Sequence, residues 1–180
     1  PALSEKINTI YLSGKTDDNT GHLIAFDMNT GSVKWDNADR LLAKTELGGP
    51  IVADDGTIHL GGEDNKMIAY TTDGSVKWTF ATAGSVLAAP ALDNKGNLYF
   101  GDASGYFYVI DKKGEIKWKT AKLNEEINSS AAIGNNGVIY ILTRDNTNKK
   151  GTLFALQTDA TGLLKDAWPM LSKNAKHTGR

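Results

Sequence analysis

The segment Gly31-Ser-Val-Lys-Trp35 occurs again as Gly74-Ser-Val-Lys-Trp78 and, in altered form, as Gly114-Glu-Ile-Lys-Trp118. A looser fourth copy runs from Gly162 to Trp168, so the four tryptophans lie 43, 40 and 50 residues apart. Self-similarity at a period of about 20 to 50 residues is typical of repeat architectures. The sequence therefore predicts repeats at approximately 1–49, 50–89, 90–130 and 131–168, followed by a C-terminal tail at 169–180.

Three apolar blocks precede each tryptophan segment. In the third unit they are 90–92, 96–102 and 106–111. They are rich in Val, Leu, Tyr and Phe and are bounded by Gly, Asn and Asp, as short β-strands between tight turns are. Four such strands repeated about every 40 residues form the pattern of a propeller blade. We therefore expect an all-β fold, a single β-propeller domain over 1–180 built of four-stranded antiparallel blades.

Composition excludes several classes of function. Lys plus Arg is 20 and Asp plus Glu is 21, a balance that argues against nucleic-acid binding. No apolar run approaches the roughly 18 residues that a membrane-spanning helix needs. The absence of cysteine rules out disulfides, a thiol nucleophile and thiolate metal sites.

The stretch Ala25-Phe-Asp27-Met-Asn-Thr30-Gly31-Ser-Val-Lys-Trp35 resembles the tryptophan-docking motif A-x-D-x-x-T-G-x-x-x-W of the quinoprotein-type (PQQ-like) propeller repeats. The resemblance implies that the indole of one blade docks against the Ala and Gly region of its neighbour, where a flat ring stacks on backbone opened by glycine. The later copies drift from the motif. The residues that carry the expected docking are Ala25, Asp27, Gly31, Trp35, Ala69, Gly74, Trp78, Asp111, Gly114, Trp118, Gly162 and Trp168.

The tail from Trp168 to Arg180 is similar to a segment that borders such propellers in many exported bacterial proteins. The resemblance implies an extracytoplasmic location, in the periplasm or at the cell surface. It also implies a non-catalytic binding or scaffold role with protein or glycan partners.

The alternative function is that of a fragment of a PQQ- and Ca²⁺-dependent alcohol or sugar dehydrogenase. Such an enzyme needs a Ca²⁺ held by oxygen ligands and an aspartate base. No carboxylate interrupts the repeat pattern at the inner strand, where a catalytic one would stand out, and turn chemistry alone explains the aspartates beside the turns. His22, His59 and His177 fall in separate units, and His59 takes the place of Tyr11, Tyr99 and Tyr140. We therefore expect no enzyme activity, no metal and no cofactor, with PQQ and Ca²⁺ only under the alternative.

Two connections are longer and more polar than their counterparts, and propellers usually place recognition on such loops. The candidate recognition residues are Asp17, Asp18 and Asn19 in the first unit and Arg144, Asp145 and Asn146 in the fourth.

An open array of four blades would expose an apolar face at each end, whereas monomers rarely expose patches above a few hundred Å². Closure into a small ring, pairing with a second copy, or further blades N-terminal to Pro1 would each solve this. The start at Pro1 and the family's habit of seven or eight blades favour further blades in the native gene product. For the isolated chain we expect self-association, as in a homodimer.

Overall fold

The computed structural model describes residues 1–15, 21–37, 48–123, 126–134, 136–164 and 169–170, and its regular structure is almost entirely β-strand. Blade 1 consists of β1 (Ala2–Ser4), β2 (Thr9–Lys15), β3 (Gly21–Asp27) and β4 (Val33–Asn37), with a 3₁₀ turn at Glu5–Ile7; blade 2 of β5 (Ile51–Val52), β6 (Ile58–Gly61), β7 (Lys66–Tyr70) and β8 (Val76–Ala81). Blade 3 consists of β9 (Ala91–Leu92), β10 (Leu98–Gly101), β11 (Phe107–Ile110) and β12 (Ile116–Lys119); blade 4 of β13 (Ala132–Ile133), β14 (Val138–Asp145) and β15 (Lys150–Gln157). Within these ranges no helix is long or apolar enough to cross a membrane.

Each blade is an antiparallel meander in which strands that follow one another in sequence are hydrogen-bonded neighbours. Gly, Asn and Asp between the strands allow the tight turns that this order requires. Gly56, Gly96 and Gly137 adopt positive φ angles of 84°, 80° and 79° at equivalent turns. The prediction of an all-β fold with antiparallel blades is confirmed, and blades 1, 2 and 3 each have the four expected strands.

A β-bulge recurs at the same place in blades 1, 2 and 3. Ala25 faces Trp35 across the ladder while Phe26 faces Val33, so Lys34 is the extra residue. Lys77 and Lys117 are the extra residues at the matching register shifts of the next two blades. A bulge keeps pairing on both sides of the extra residue while changing which way the side chains point.

Blade 4 differs from the other three in its outermost part. Its sheet has three strands within the described residues. The segment after β15 lies beside blade 3 instead, where Leu163 forms an antiparallel bridge with Asp93 and the Leu164 amide donates to the Leu92 carbonyl at 3.1 Å. As a result, β15 is an edge strand among the described residues.

Apolar cores fill the spaces between consecutive blades. One cluster joins Tyr11, Leu23 and Ala25 of blade 1 to residues such as Ile58 and Leu60 of blade 2. Comparable clusters lie between blades 2 and 3 and between blades 3 and 4. Both faces of β6, β10 and β11 are buried, as expected of strands between two neighbours. Stacking of blades on apolar faces is therefore the main source of stability.

Buried aspartates organise the loops beside these cores. The Asp102 carboxylate accepts hydrogen bonds from the Gly84 amide at 3.0 Å and the Tyr108 hydroxyl at 2.8 Å. Asp93 accepts from the Tyr99 hydroxyl at 3.0 Å, and burial together with this carboxylate raises the pKa of Tyr99. These carboxylates hold turns and strands together because each satisfies several donors at once.

Candidate functional site

Two glycines form seats for indole rings at the junctions between blades. Gly74 and Gly114 have φ angles of +86° and +83°, in the left-handed region that glycine adopts without strain. A Cβ atom at Gly74 would lie 3.0 Å from the Trp35 ring, and one at Gly114 would lie 2.8 Å from the Trp78 ring. Only a residue without a side chain allows the indole to approach the backbone this closely.

Each of these indoles also makes a polar contact with the neighbouring blade. The Trp35 Nε1–H donates to the Thr72 carbonyl at 2.8 Å, and the Trp78 Nε1–H donates to the Lys112 carbonyl at 3.1 Å. On its own blade, the Trp35 ring lies 5.9 Å from Tyr11 between ring centroids. The same residue types therefore join blade 1 to blade 2 and blade 2 to blade 3, while the importance of this docking for stability stays a prediction.

The other predicted docking residues occupy varied places. Ala25 and Ala69 lie opposite Trp35 and Trp78 on the neighbouring strand. Asp27 accepts hydrogen bonds from the amides of its own turn, of which the Thr30 N–H contributes most to holding the pKa of Asp27 below its usual value. Asp111 likewise accepts from the Lys113 and Glu115 amides.

The third and fourth repeats depart from the docking pattern. The Trp118 ring packs 6.3 Å from that of Phe107, in the core between blades 3 and 4. Gly162 has a φ of +92°, but its carbonyl accepts from the Asn94 amide at 3.1 Å, which places it against a turn of blade 3. Trp168 lies outside the described residues.

Two blade faces have no neighbouring blade among the residues that the structure describes. The blade 1 end face consists of residues paired between β2 and β3, namely Ile10, Leu12, Ile24 and Phe26. The blade 4 end face consists of residues paired between β14 and β15, namely Tyr140, Leu142, Leu153 and Ala155. Tyr140 is 41% exposed, although Tyr11 and Tyr99 at the equivalent positions are fully buried. Leu12 is 39% exposed, whereas its equivalent Leu60 is buried.

The glycine seat of blade 1 is uncovered in the same way. Gly31 has a φ of +71°, the left-handed conformation that Gly74 also adopts. A Cβ atom at Gly31 would meet nothing within 4 Å among the described residues, whereas the equivalent position at Gly74 is covered by the Trp35 ring. Gly31 is therefore open where Gly74 is covered, in a turn that is one residue longer: the Gly31 amide donates to the Asp27 carbonyl four residues back, whereas the Gly74 amide donates to the Thr71 carbonyl three residues back.

A cavity of about 250 Å³ lies between the turns of blades 2 and 3. His59 lines it, is 2% exposed, and has no hydrogen-bond partner at either ring nitrogen among the described residues. Burial lowers the pKa of His59 to about 3, so the imidazole is neutral at physiological pH. The sequence analysis places His59 correctly in a strand but does not reveal the cavity. A comparison of the repeats would have indicated it, because Ala53 and His59 are shorter than Asp93 and Tyr99 at the equivalent positions of blade 3.

The predicted recognition loops are only partly described. Asp17, Asp18 and Asn19 lie outside the described residues. Arg144, Asp145 and Asn146 lie at the tip of the β14–β15 hairpin, where Asn146 donates to the Glu126 carboxylate at 2.8 Å. Asp145 accepts from the Asn148 amide at 2.8 Å, so the hairpin tip is held by its own polar contacts. No group of three His, Asp or Glu side chains suited to a metal ion occurs in the described parts of the chain.

Comparisons with known proteins agree with the repeat structure. The family model described as outer membrane protein assembly factor BamB matches residues 19–163. The BamB protein of Salmonella typhimurium is 34% identical over 95 residues, covering 51% of this chain and 22% of that protein. The crystal structure of BamB from Moraxella catarrhalis has a TM-score of 0.58 at 16% identity, covering 91% of this chain and 48% of that one. Quinohemoprotein alcohol dehydrogenase from Comamonas testosteroni has a TM-score of 0.64 at 17% identity, covering 87% of this chain and 33% of that one.

These likenesses confirm the predicted PQQ-like propeller fold. At 16% and 17% identity, the solved structures show a shared fold and nothing about shared chemistry. The chain spans about half the length of the Moraxella protein, and its match covers about a fifth of the Salmonella protein.

The indole seats predict unequal effects of one substitution at two glycines. Gly96→Ala is expected to cost about 1 to 2 kcal/mol, the strain of a left-handed alanine, because a Cβ atom at Gly96 would only make an ordinary contact with Lys112 at 3.6 Å. Gly114→Ala is expected to cost about 2 kcal/mol more, because its methyl group also displaces the Trp78 ring. Urea unfolding of the two variants measures this difference, and equal losses of stability would contradict the docking role.

The buried His59 predicts a dependence of stability on pH. Its pKa is about 3 in the folded chain against 6.5 for an exposed histidine, so the unfolded chain binds the additional proton as the pH falls. The free energy of unfolding should therefore decrease below about pH 6.5, with a slope of up to about 1.4 kcal/mol per pH unit. The depressed carboxylate pKa of Asp27 affects stability only in more acidic solution. His59→Tyr should show a shallower slope between about pH 6 and 4.5 in urea titrations; identical slopes would disprove the assignment.

Proposed function

Because the chain belongs to the family of outer membrane protein assembly factor BamB, we propose that it is a non-catalytic binding propeller that acts outside the cytoplasm as a scaffold in outer membrane assembly. The Salmonella and Moraxella relatives bear that name. The repeat fold that this chain shares with them is a stack of sheets whose end faces and rims are available for binding. Its partners in this role are proteins or glycans.

The observation that carries the protein-binding part of the proposal is the exposure of the two end faces. In blades 2 and 3 the equivalent faces are buried against another blade of the same chain. The end faces therefore have the composition of surfaces that bind protein. Exposed apolar patches of this kind on a folded chain mark interaction sites.

The occupant that fits these faces best is a second copy of the chain. The blade 4 end face corresponds to the faces of blades 1, 2 and 3 that receive the following blade. The blade 1 end face corresponds to the faces that receive the preceding one. The two ends are therefore complementary, and two copies joined head to tail would close a ring of eight blades. Because one chain spans 48% of the Moraxella protein, two copies supply about the length of that protein.

The uncovered seat at Gly31 supports the same arrangement. Gly74 and Gly114 are covered by indoles of the preceding blade, whereas no described residue lies within 4 Å of the corresponding site at Gly31. In a head-to-tail pair, the preceding blade would be blade 4 of the second copy.

A charged residue on the blade 4 end face should prevent this association. Leu153 is 66% exposed, so Leu153→Asp is expected to change the stability of the monomer by no more than about 0.5 kcal/mol. Sedimentation equilibrium should give a dimer for the unsubstituted chain and a monomer for Leu153→Asp at the same concentration. Burying an unpaired carboxylate in an apolar interface explains the loss.

Ile116→Asp is the matched control. Ile116 is 50% exposed on the outermost strand of blade 3, away from both end faces, so this variant should remain a dimer. A monomeric unsubstituted chain that binds a hydrophobic dye would contradict the second copy and favour further blades of a longer chain as the occupant. A monomer that binds no dye would contradict exposed end faces altogether.

The second candidate function, a fragment of a quinone-dependent dehydrogenase, has the likeness to the Comamonas enzyme in its favour. Three aspartates of blade 3 do not fit a PQQ and Ca²⁺ site. Asp93 and Asp102 are fully buried and accept hydrogen bonds from tyrosines and turn amides, and Asp111 caps its own turn. These oxygens are already used to hold the turns, so we derive no catalytic step through them.

Addition of PQQ and Ca²⁺ tests the non-catalytic proposal. We expect no change in the absorbance of the quinone and no dye-linked oxidation of ethanol or glucose, because the described residues offer no group of three metal-binding carboxylates or histidines. Oxidation that depends on both additives would favour the dehydrogenase instead.

A further inference from the structure

The cavity between blades 2 and 3 lies beside two positions at which blade 2 carries shorter side chains than blade 3. In blade 3 the Tyr99 hydroxyl reaches the turn ahead of its strand and donates to Asp93 at 3.0 Å, which fills the space. In blade 2 the same positions hold His59 and Ala53, whose side chains are both shorter. The cavity beside them has a volume of about 250 Å³ and is partly open to solvent.

His59 gives this space a polar wall without a partner. Its ring is 2% exposed, and neither nitrogen is hydrogen-bonded within the described ranges. The Trp78 ring, 5.6 Å away between centroids, contacts the imidazole but supplies no acceptor or donor to it. Both nitrogens have almost no accessible area, so the ring has to turn towards the cavity before a bound molecule can pair with it. Buried polar groups are nearly always hydrogen-bonded, and this favours the turned ring when a molecule with hydroxyl groups is bound.

The remaining lining indicates the charge of that molecule. Asp54, Asp55, Lys95 and Lys112 contribute two negative and two positive groups. Asp55 is paired with Lys77 at 3.2 Å, and Lys95 lies 3.7 Å from the Asp159 carboxylate, so these charges are largely compensated. A cavity with balanced charge favours neither an anion nor a cation.

The lining also contains both hydrogen-bond donors and acceptors beside apolar groups. A neutral imidazole offers one donor and one acceptor. The Asn94 side chain already donates to the Thr161 carbonyl at 3.1 Å and accepts from the Thr161 hydroxyl, so it has one further N–H and one further lone pair for a ligand. Leu92, Ala53 and Leu164 form the apolar part. This mixture suits a ligand whose hydroxyl groups each donate and accept and whose carbon skeleton is apolar.

We propose that this cavity binds a neutral polyhydroxylated molecule of monosaccharide size, with His59 hydrogen-bonded to one of its hydroxyl groups. The inference rests on the proposed binding role and adds a class of ligand to it. It uses surfaces separate from the two end faces, so it can fail while the head-to-tail association holds.

The direct test observes the ring nitrogens of His59 by NMR in the unsubstituted chain. The probes are D-glucose, D-galactose, D-mannose and N-acetyl-D-glucosamine, with inorganic phosphate as a charged comparison. At least one sugar should shift the His59 imidazole signals saturably and leave those of His22, whose Nδ1 lies 2.7 Å from the Asp36 carboxylate, unchanged. No shift with any of the four sugars, or a saturable shift with phosphate alone, would overturn the proposal.

The double variant Ala53→Asp/His59→Tyr restores in blade 2 the residue pair that fills blade 3. It should weaken binding of the active sugar by about tenfold or more, as measured by saturation-transfer difference NMR. Sedimentation of the same variant should still give the dimer, which separates loss of the cavity from loss of association. Undiminished sugar binding by the folded double variant would place the sugar elsewhere and refute the cavity as its site.

Discussion

The structure depends on the requirement that each blade be covered on both faces. Strands such as β6 and β10 are apolar on each side, so a single blade cannot be stable in water. The close approach of Trp35 to Gly74 and of Trp78 to Gly114 fixes how neighbouring blades meet. A left-handed glycine exposes the backbone on which the indole lies, and the indole nitrogen pairs with a carbonyl of the same turn. The left-handed backbone of the glycine turn and the packing of the indole thereby favour the same contact between neighbouring blades.

The sequence predicts most of this architecture because the repeats encode it locally. The alternation of apolar blocks and turn residues predicts the strands, and the recurring Gly-x-x-Lys-Trp segment predicts the unit. It does not predict that the chain after β15 turns towards blade 3, since the contact of Leu163 with Asp93 depends on residues that are distant in sequence. Nor does it predict the cavity beside His59. A cavity arises from side-chain volume that is missing in three dimensions, and only a comparison of His59 and Ala53 with Tyr99 and Asp93 indicates it.

Two acidic residues of blade 3 have a structural role in its turns. Asp102 and Asp93 are buried, and their oxygens satisfy backbone amides and tyrosine hydroxyls. Such carboxylates stabilise loops because replacing them would leave several donors unpaired. The surfaces proposed for recognition are the end faces, the polar hairpin at Arg144 and the cavity at His59.

The bulge at Lys34, Lys77 and Lys117 makes the outer strands sensitive to length rather than to composition. Removing the extra residue would restore regular pairing with the following tryptophan still opposite the same alanine, and the outer strand would lose its local bend and added twist. The indole would then approach the glycine that receives it at a different angle, although the glycine and the tryptophan of the motif were retained. Insertions and deletions in this short stretch therefore disturb the docking geometry in a way that exchanges of exposed side chains do not.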